Sequence, residues 1–260
     1  WPWEPEMTQF VKTRRDGAVL VVTLDRADKK NALTGAMYDA LTLALSVAND
    51  EPGVGSVLFL GSGGCFTAGN DIADFLAFAT NAQIRGAGES PALRFIRALA
   101  AAQKPMVASV DGVAIGIGTT LILHCDYVLA SPRTVFQTPF VDLGLVPEAG
   151  SSLLLPQRIG PAKAAQMILF GEKVDGETAA KIGLVNELHD SEGMDTRALE
   201  RARALAAKPR AALLAARKLL HGDQARVLAR IEEEGKMFNE ALHSEEARAA
   251  FMAFMAKPKR

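Results

Sequence analysis

The chain has 260 residues, 49% of them hydrophobic and 23% charged, which fits a single large globular unit with a substantial core. A formal net charge of −1 excludes any electrostatic case for nucleic acid or an anionic membrane surface as partner. Apolar runs such as Leu121-Ile-Leu123 are far too short to span a bilayer, and Cys65 and Cys125 read as two buried thiols rather than a disulfide, which predicts a reducing, cytoplasmic setting.

Trp1 to Glu6 lack the basic start and apolar stretch of a signal peptide. Met7 reads as the native start, and residues 1–6 as an added or flexible leader. From about Gly17 to Glu187, short β-like runs alternate with helical segments. Val19–Leu24, Ser56–Leu60, Met106–Val110 and Leu184–Glu187 read as buried strands. Thr34 is placed to cap a helix with Met37, Leu41, Leu45 and Ala48 on one face. Ser90-Pro91 opens another helix through Leu93, Ile96, Arg97 and Ala100. The alternation predicts an α/β core with both sheet faces covered. Beyond about Met194 strand signals vanish. Residues 195–256 read as three or four helices broken at Pro209, Gly222 and Gly235, with Phe238, Leu242, Phe251 and Phe254 facing the core or another subunit. The basic end, Lys257 to Arg260, reads as a solvated tail.

Two glycine-rich loops follow apolar strands. In Gly61–Asp71 no Lys-Ser/Thr follows the last glycine, so the phosphate-loop pattern is absent, and no dinucleotide fingerprint is present. In Asp111–Thr120, Gly116 and Gly118 flank Ile117. Alone, the first reads as an ordinary turn and the second as close helix packing. Taken together, each places one N–H just after a glycine, on Asn70 or Ile117, and two such donors meeting at one oxygen would form an oxyanion hole.

The chain resembles the crotonase superfamily, the enoyl-CoA hydratase/isomerase family, from about Phe10 to Phe254. The resemblance rests on Leu24–Leu33, Phe66–Asp71, Gly112–Gly118 with Cys125-Asp126, and Phe136–Gly144. It implies an α/β fold, a ClpP/crotonase-like spiral of ββα units over residues 7–193 that holds the active site. A C-terminal helical region over 194–260 would then build a homotrimer or a dimer of trimers. It also implies an acyl-CoA thioester as substrate, so that coenzyme A is part of the substrate; no cofactor, metal, nucleic acid or membrane partner is expected. By the same match Asn70 and Ile117 hold the thioester oxygen. Arg26, Lys29, Lys30, Lys257 and Lys259 are candidates for the CoA phosphates, and Ala68 and Ile115 for carbonyl contacts to adenine or pantetheine. Asp71 and Phe140 complete the candidate site.

Hydratases of this family carry two glutamates where this chain has Thr120 and Phe140. A third position holds Glu148, the arrangement that resembles the peroxisomal-type Δ3,Δ2-enoyl-CoA isomerases. Read locally, Glu148 would be a solvated turn residue; the resemblance implies the base. Leu145, Val146 and Pro147 would desolvate it and raise its pKa. Asp71 and Asp74 read as helix caps, Asp126 as a structural hydrogen-bonding group, and the four histidines as ordinary. A hydratase, another crotonase-type chemistry, or a catalytically silent CoA-binding scaffold are the alternatives.

Overall fold

The computed structural model describes residues 8–73 and 89–256, apart from the side chain of Phe254. Asp74, the loop glycines Gly86 and Gly88, Lys257 and Lys259 therefore lie outside the described residues, as do residues 1–7.

Val11–Asp16 (β1) and Val19–Leu24 (β2) pair antiparallel, with Gly17 at φ +56° in the turn. β1 carries Lys12, Arg14 and Arg15, which hid it from a search for apolar runs but suit the open edge of a sheet. Ser56–Gly61 (β3), Met106–Val110 (β4), Tyr127–Ala130 (β6) and Glu187–Leu188 (β9) continue the sheet in parallel. Parallel neighbours need crossovers, and Gly35–Asp50 (α1) and Pro91–Ala101 (α2) belong to two of them. Both helices start as expected: Thr34 accepts the N–H of Met37 at 3.4 Å, and Ser90 that of Leu93 at 3.2 Å. The expected strand at 184–187 shrinks to Glu187–Leu188, because Leu184 and Val185 are anchored by N–H bonds to Ala179 at the end of the preceding helix.

Alternate residues of the strands serve two cores. Leu20, Val22, Leu24, Val57 and Phe59 pack under α1 and α2. Val19, Val21, Leu58, Leu60, Val107 and Leu129 pack under Met194, Ala198 and Ala202 of Met194–Ala206 (α7). That helix covers the second face of the sheet. A second, small sheet is formed by Val113–Ile115 (β5), Val135–Gln137 (β7) and Val174–Asp175 (β8). Ile117–Leu121 (α3) follows β5 directly. Ser151–Ile159 (α4), Pro161–Phe170 (α5) and Gly176–Lys181 (α6) lie between β7 and β9.

The chain then runs through Arg210–His221 (α8), Gln224–Leu242 (α9) and Glu245–Ala256 (α10). Gly222 ends α8 at φ +66°, as expected, but Gly235 interrupts nothing and sits inside α9. A Cβ there would meet Leu93 of α2 at 3.4 Å, an ordinary contact. Phe238, Leu242 and Phe251 face back toward Phe140 and Leu145 in a separate apolar cluster. Among the described residues no helix is long and apolar enough to cross a membrane.

Gly235→Ala should therefore raise stability by about 0.5–1 kcal/mol, the helix-propensity difference, read as an upward shift of Tm. A loss of stability would mean that the α2–α9 contact has no room for one methyl group.

Candidate active site

The site begins at Asn31, whose importance no local pattern announced. It is fully buried in the left-handed region, at φ +53°, a conformation that asparagine tolerates better than most residues. Its amide donates to the carbonyls of Ser62, Cys65 and Phe66 at 3.0, 2.7 and 3.2 Å, and its carbonyl accepts from the N–H of Arg26 at 2.7 Å. One side chain thus pins the first glycine-rich loop from within.

The loop runs between two partners. On one side Leu33 N–H donates to Gly69 and Asp71 N–H donates to Leu33, at 2.8 and 2.9 Å. On the other, Thr67 N–H reaches Val113 and Ile115 N–H reaches Thr67, both at 3.0 Å. In a parallel pairing successive peptides point to opposite sides, so the N–H of Asn70 faces away from Leu33, toward the side on which β5 lies. Thr67 is level with Ala114, so the loop runs beside β5 as it approaches Asn70. Gly69 is required here for two reasons, φ +89° and a backbone so close that a Cβ would lie 2.8 Å from the Ile115 carbonyl oxygen. Ile117 opens α3, where the first N–H groups have no helical partner. Among the described residues neither Asn70 N–H nor Ile117 N–H has a hydrogen-bond acceptor. Tyr38 of α1 donates its hydroxyl to the side-chain oxygen of Asn70 and so fixes the end of the loop.

One helical turn along α3 from Ile117, on the same face, stands Thr120, fully buried. Its hydroxyl donates to Oε1 of Glu148 at 2.5 Å. That places the glutamate beside the helix that begins with the free amide, about 4.5 Å along the axis by the rise of an α-helix. Glu148 is 9% exposed, not a solvated turn residue. Burial pushes its carboxyl up from 4.5 to about 8; the Thr120 bond acts against this, and the charge of Glu234 acts with it. His124 is not ordinary either. Its buried ring lies 2.8 Å from the carbonyl oxygen of Ala149, an acceptor only, so Nε2 carries the proton. Burial lowers its pKa to about 4, which keeps it neutral.

Phe140 is buried with Leu145 and Phe251, and Ile72 and Phe238 pack on the same cluster. Its ring edge is the nearest atom, at 4.0 Å, to where a Cβ on Gly116 would be. The loop between Ile115 and Ile117 is therefore walled by an aromatic ring. Arg26 departs from expectation: its guanidinium is committed to Asp71 at 2.7 Å and to the Ala32 carbonyl at 2.9 Å, and lies over the ring of Phe10. It is a strut for the loop. Asp71 accepts this pair and also the N–H of Ala73 at 3.1 Å, the capping role expected of it. Lys29 and Lys30 remain as exposed cations on the adjoining turn, and the Lys30 carbonyl receives the N–H of Ala68 at 2.9 Å. The Ile115 N–H bonds the carbonyl of Thr67, the residue before Ala68. Asp126 is structural, held by Arg217, His221 and the N–H of Met106. Both cysteines are free and buried. Among the described residues no group of three or more His, Cys, Asp or Glu could hold a metal ion.

A family model described as enoyl-CoA hydratase/isomerase matches residues 14–260. The chain belongs to the enoyl-CoA hydratase/isomerase family. Similar family members include enoyl-CoA delta isomerase 2 of Rattus norvegicus, 35% identical over 94% of this chain, and a probable enoyl-CoA hydratase of Rhodobacter capsulatus, 34% identical over 91%. The chain spans 63% of the length of the rat protein and 91% of the bacterial one. The crotonase fold of the family is evident in solved structures. Pseudomonas aeruginosa OdaA is 40% identical with a TM-score of 0.90, covering 96% of this chain and 100% of its own. An enoyl-CoA hydratase/isomerase from Pseudoalteromonas atlantica is 34% identical with a TM-score of 0.90, covering 96% and 98%.

The raised pKa of Glu148 has a consequence for stability. The folded protein keeps a proton that the unfolded chain releases above 4.5, so this contribution is fully present below that pH and is lost as pH rises through about 8. Glu148→Gln carries no such charge. Its Tm should match the parent near pH 4.5 and exceed it near pH 8.5, by an amount corresponding to ~2–5 kcal/mol. A difference that is constant with pH would contradict the raised carboxyl.

Proposed function

We propose that the chain is an acyl-CoA isomerase, moving the double bond of a 3-enoyl-CoA to the 2-position, with Glu148 as its single proton shuttle. The observation that carries this reading is the environment of Glu148. It is a buried carboxylate with one hydroxyl donor, and the positions of the two hydratase acids hold Thr120, which serves Glu148, and Phe140, which excludes water.

Removing a proton from C2 sends charge through the π-system to the thioester oxygen. The N–H groups of Asn70 and Ile117 would receive that charge as fixed dipoles, at the positive end of α3 in the case of Ile117. Glu148 would take the C2 proton, hold it as a neutral acid, and return it to C4 on the same face. A carboxyl near pKa 8 suits this work better than an ordinary one, because its conjugate base is stronger toward carbon. Thr120 keeps the carboxylate in one orientation without being a strong enough donor to make it an ordinary acid. The dry wall formed by Phe140 and Leu145 would protect the dienolate from quenching. Addition of water needs a second acid–base group to activate and deliver it. Hydration is the second reading, favoured by the name of the Rhodobacter relative.

Lys29 and Lys30, with Lys257 and Lys259 from the end of the chain, are the cations we assign to the CoA phosphates. Arg26 serves them indirectly by bracing the turn. A trimer or dimer of trimers would suit the exposed apolar residues Leu219 and Leu220 of α8 and Met252 of α10.

Purified protein given 3-hexenoyl-CoA should yield 2-hexenoyl-CoA, and given 2-hexenoyl-CoA should add water at a negligible rate. Fast hydration with slow isomerisation would overturn the assignment. Glu148→Gln should lose about 10²–10⁴ in kcat with CoA binding retained. The kcat/KM of the parent should fall as pH drops below about 8, since the base must be ionised to act. An acid limb near 4.5 would show that some other carboxylate is in charge.

A further inference from the structure

The proposed mechanism makes no use of Glu234, and a carboxylate 5% exposed on the inner face of a helix needs a reason. It lies on α9, 86 positions beyond Glu148 in the chain, and it reaches the same turn. Its Oε2 accepts the N–H of Gly150 at 2.6 Å. Its Oε1 accepts the N–H of Ser152 at 2.9 Å and the Ser152 hydroxyl at 2.5 Å. The helix α4 that starts at Ser151 has Gly150 as its N-cap, and Gly150 offers no side chain to the unpaired N–H groups. Glu234 supplies that cap from another part of the chain.

The capped residues directly follow the catalytic candidate. Ala149 is held at φ +60°, costly for a residue with a Cβ, and Gly150 at φ +71°. The turn is gripped from both sides, by His124 on the Ala149 carbonyl and by Glu234 on the Gly150 N–H. The Ser151 N–H closes it onto the Glu148 carbonyl at 3.0 Å.

We infer that Glu234 is a positioning residue of the active site: it fixes the strained turn that presents Glu148. This rests on Glu148 being the base. All three contacts of Glu234 are from donors, as an ionised carboxylate requires. Its charge is among the causes that raise the Glu148 carboxyl. Burial raises Glu234 as well, against its three hydrogen bonds and Arg230. The other charged and titratable groups nearby are few. Arg230 bonds the Ser152 hydroxyl at 3.2 Å and pairs with Glu233 on the same helix. Arg158 near the end of α4 is committed to the Ile122 carbonyl at 2.8 Å. His124 is neutral. Arg97 of α2 pairs with Glu232 of α9 and with Glu89 just ahead of α2, and α10 brings Glu245, Glu246 and Arg248 to the far end of α9.

The test is a comparison of Glu234→Gln and Glu234→Asp with the parent. The Gln variant removes the charge, and its amide presents N–H groups to N–H groups. It should lower kcat about ten- to a hundredfold, as a small misplacement of a reacting group does, and move the acid limb of kcat/KM to lower pH. The Asp variant keeps the charge on a shorter arm. It should lower kcat while leaving the acid limb in place. A Gln variant with reduced Tm and an unmoved acid limb would make Glu234 a helix cap alone and overturn the inference. If that variant does not fold, the infrared spectrum of the parent decides: with the Glu148 band assigned by its loss in Glu148→Gln, Glu234 should lose its protonated carboxyl band at lower pH than Glu148 does, since only an ionised Glu234 opposes the ionisation of Glu148. A Glu234 still protonated where Glu148 ionises would overturn the inference there too. Full isomerase activity of Glu148→Gln would defeat the assignment of the base instead, and would leave the carboxylate coupling to be judged by the infrared titration alone.

Discussion

A carboxylate taken out of water and given a single hydroxyl in exchange is held at a cost, and much of this structure is arranged around that cost. Glu148 is destabilising when ionised, yet it is surrounded by parts that keep it where it is. Thr120 orients it, His124 and Glu234 lock the turn that carries it, and the carboxyl is buried away from solvent. A fold under selection for stability alone would place a glutamine or a leucine there. In the proposed mechanism that cost is the source of basicity, since the energy that opposes ionisation is the energy that drives proton abstraction.

The electrophilic half of the site is built from backbone. Asn31 pins the first glycine loop from inside, and the loop pairs with Leu33 on one side and β5 on the other. That double pairing leaves the Asn70 amide turned away from Leu33, toward the side on which β5 lies. Main-chain donors fixed by sheet registry cost no reorganisation when charge arrives, which is the advantage of preorganised dipoles over mobile cations. In the proposed mechanism the crotonase fold supplies the thioester cradle, and the side chains at positions 120, 140 and 148 set the chemistry performed on it.

Much of this was legible in the amino-acid sequence, for reasons that differ from element to element. The helix starts at Thr34 and Ser90 could be read because capping is local, a hydroxyl bonding an N–H three residues away. The strands β2, β3 and β4 could be read because burial on both faces makes them continuously apolar. β1 was missed because an edge strand carries charge, and β5 to β8 because runs of two to four residues hold no periodicity. Gly235 misled because a glycine needed for nothing more than helix contact looks the same as one that ends a helix. The roles of Asn31, His124 and Glu234 were out of reach, since each depends on partners brought together only by folding. Arg26 looked like a free cation for the same reason: its partner Asp71 is 45 positions away.

One isotope experiment bears directly on the claim that a single buried carboxyl carries the proton. A 3-enoyl-CoA deuterated at C2 is converted in ordinary water under single-turnover conditions, and the product is analysed by mass spectrometry and NMR for label at C4. A lone shuttle in a dry pocket predicts that a substantial fraction of the deuterium arrives at C4. Product that keeps its second deuterium at C2 but carries none at C4, or that bears a hydroxyl at C3, would contradict it.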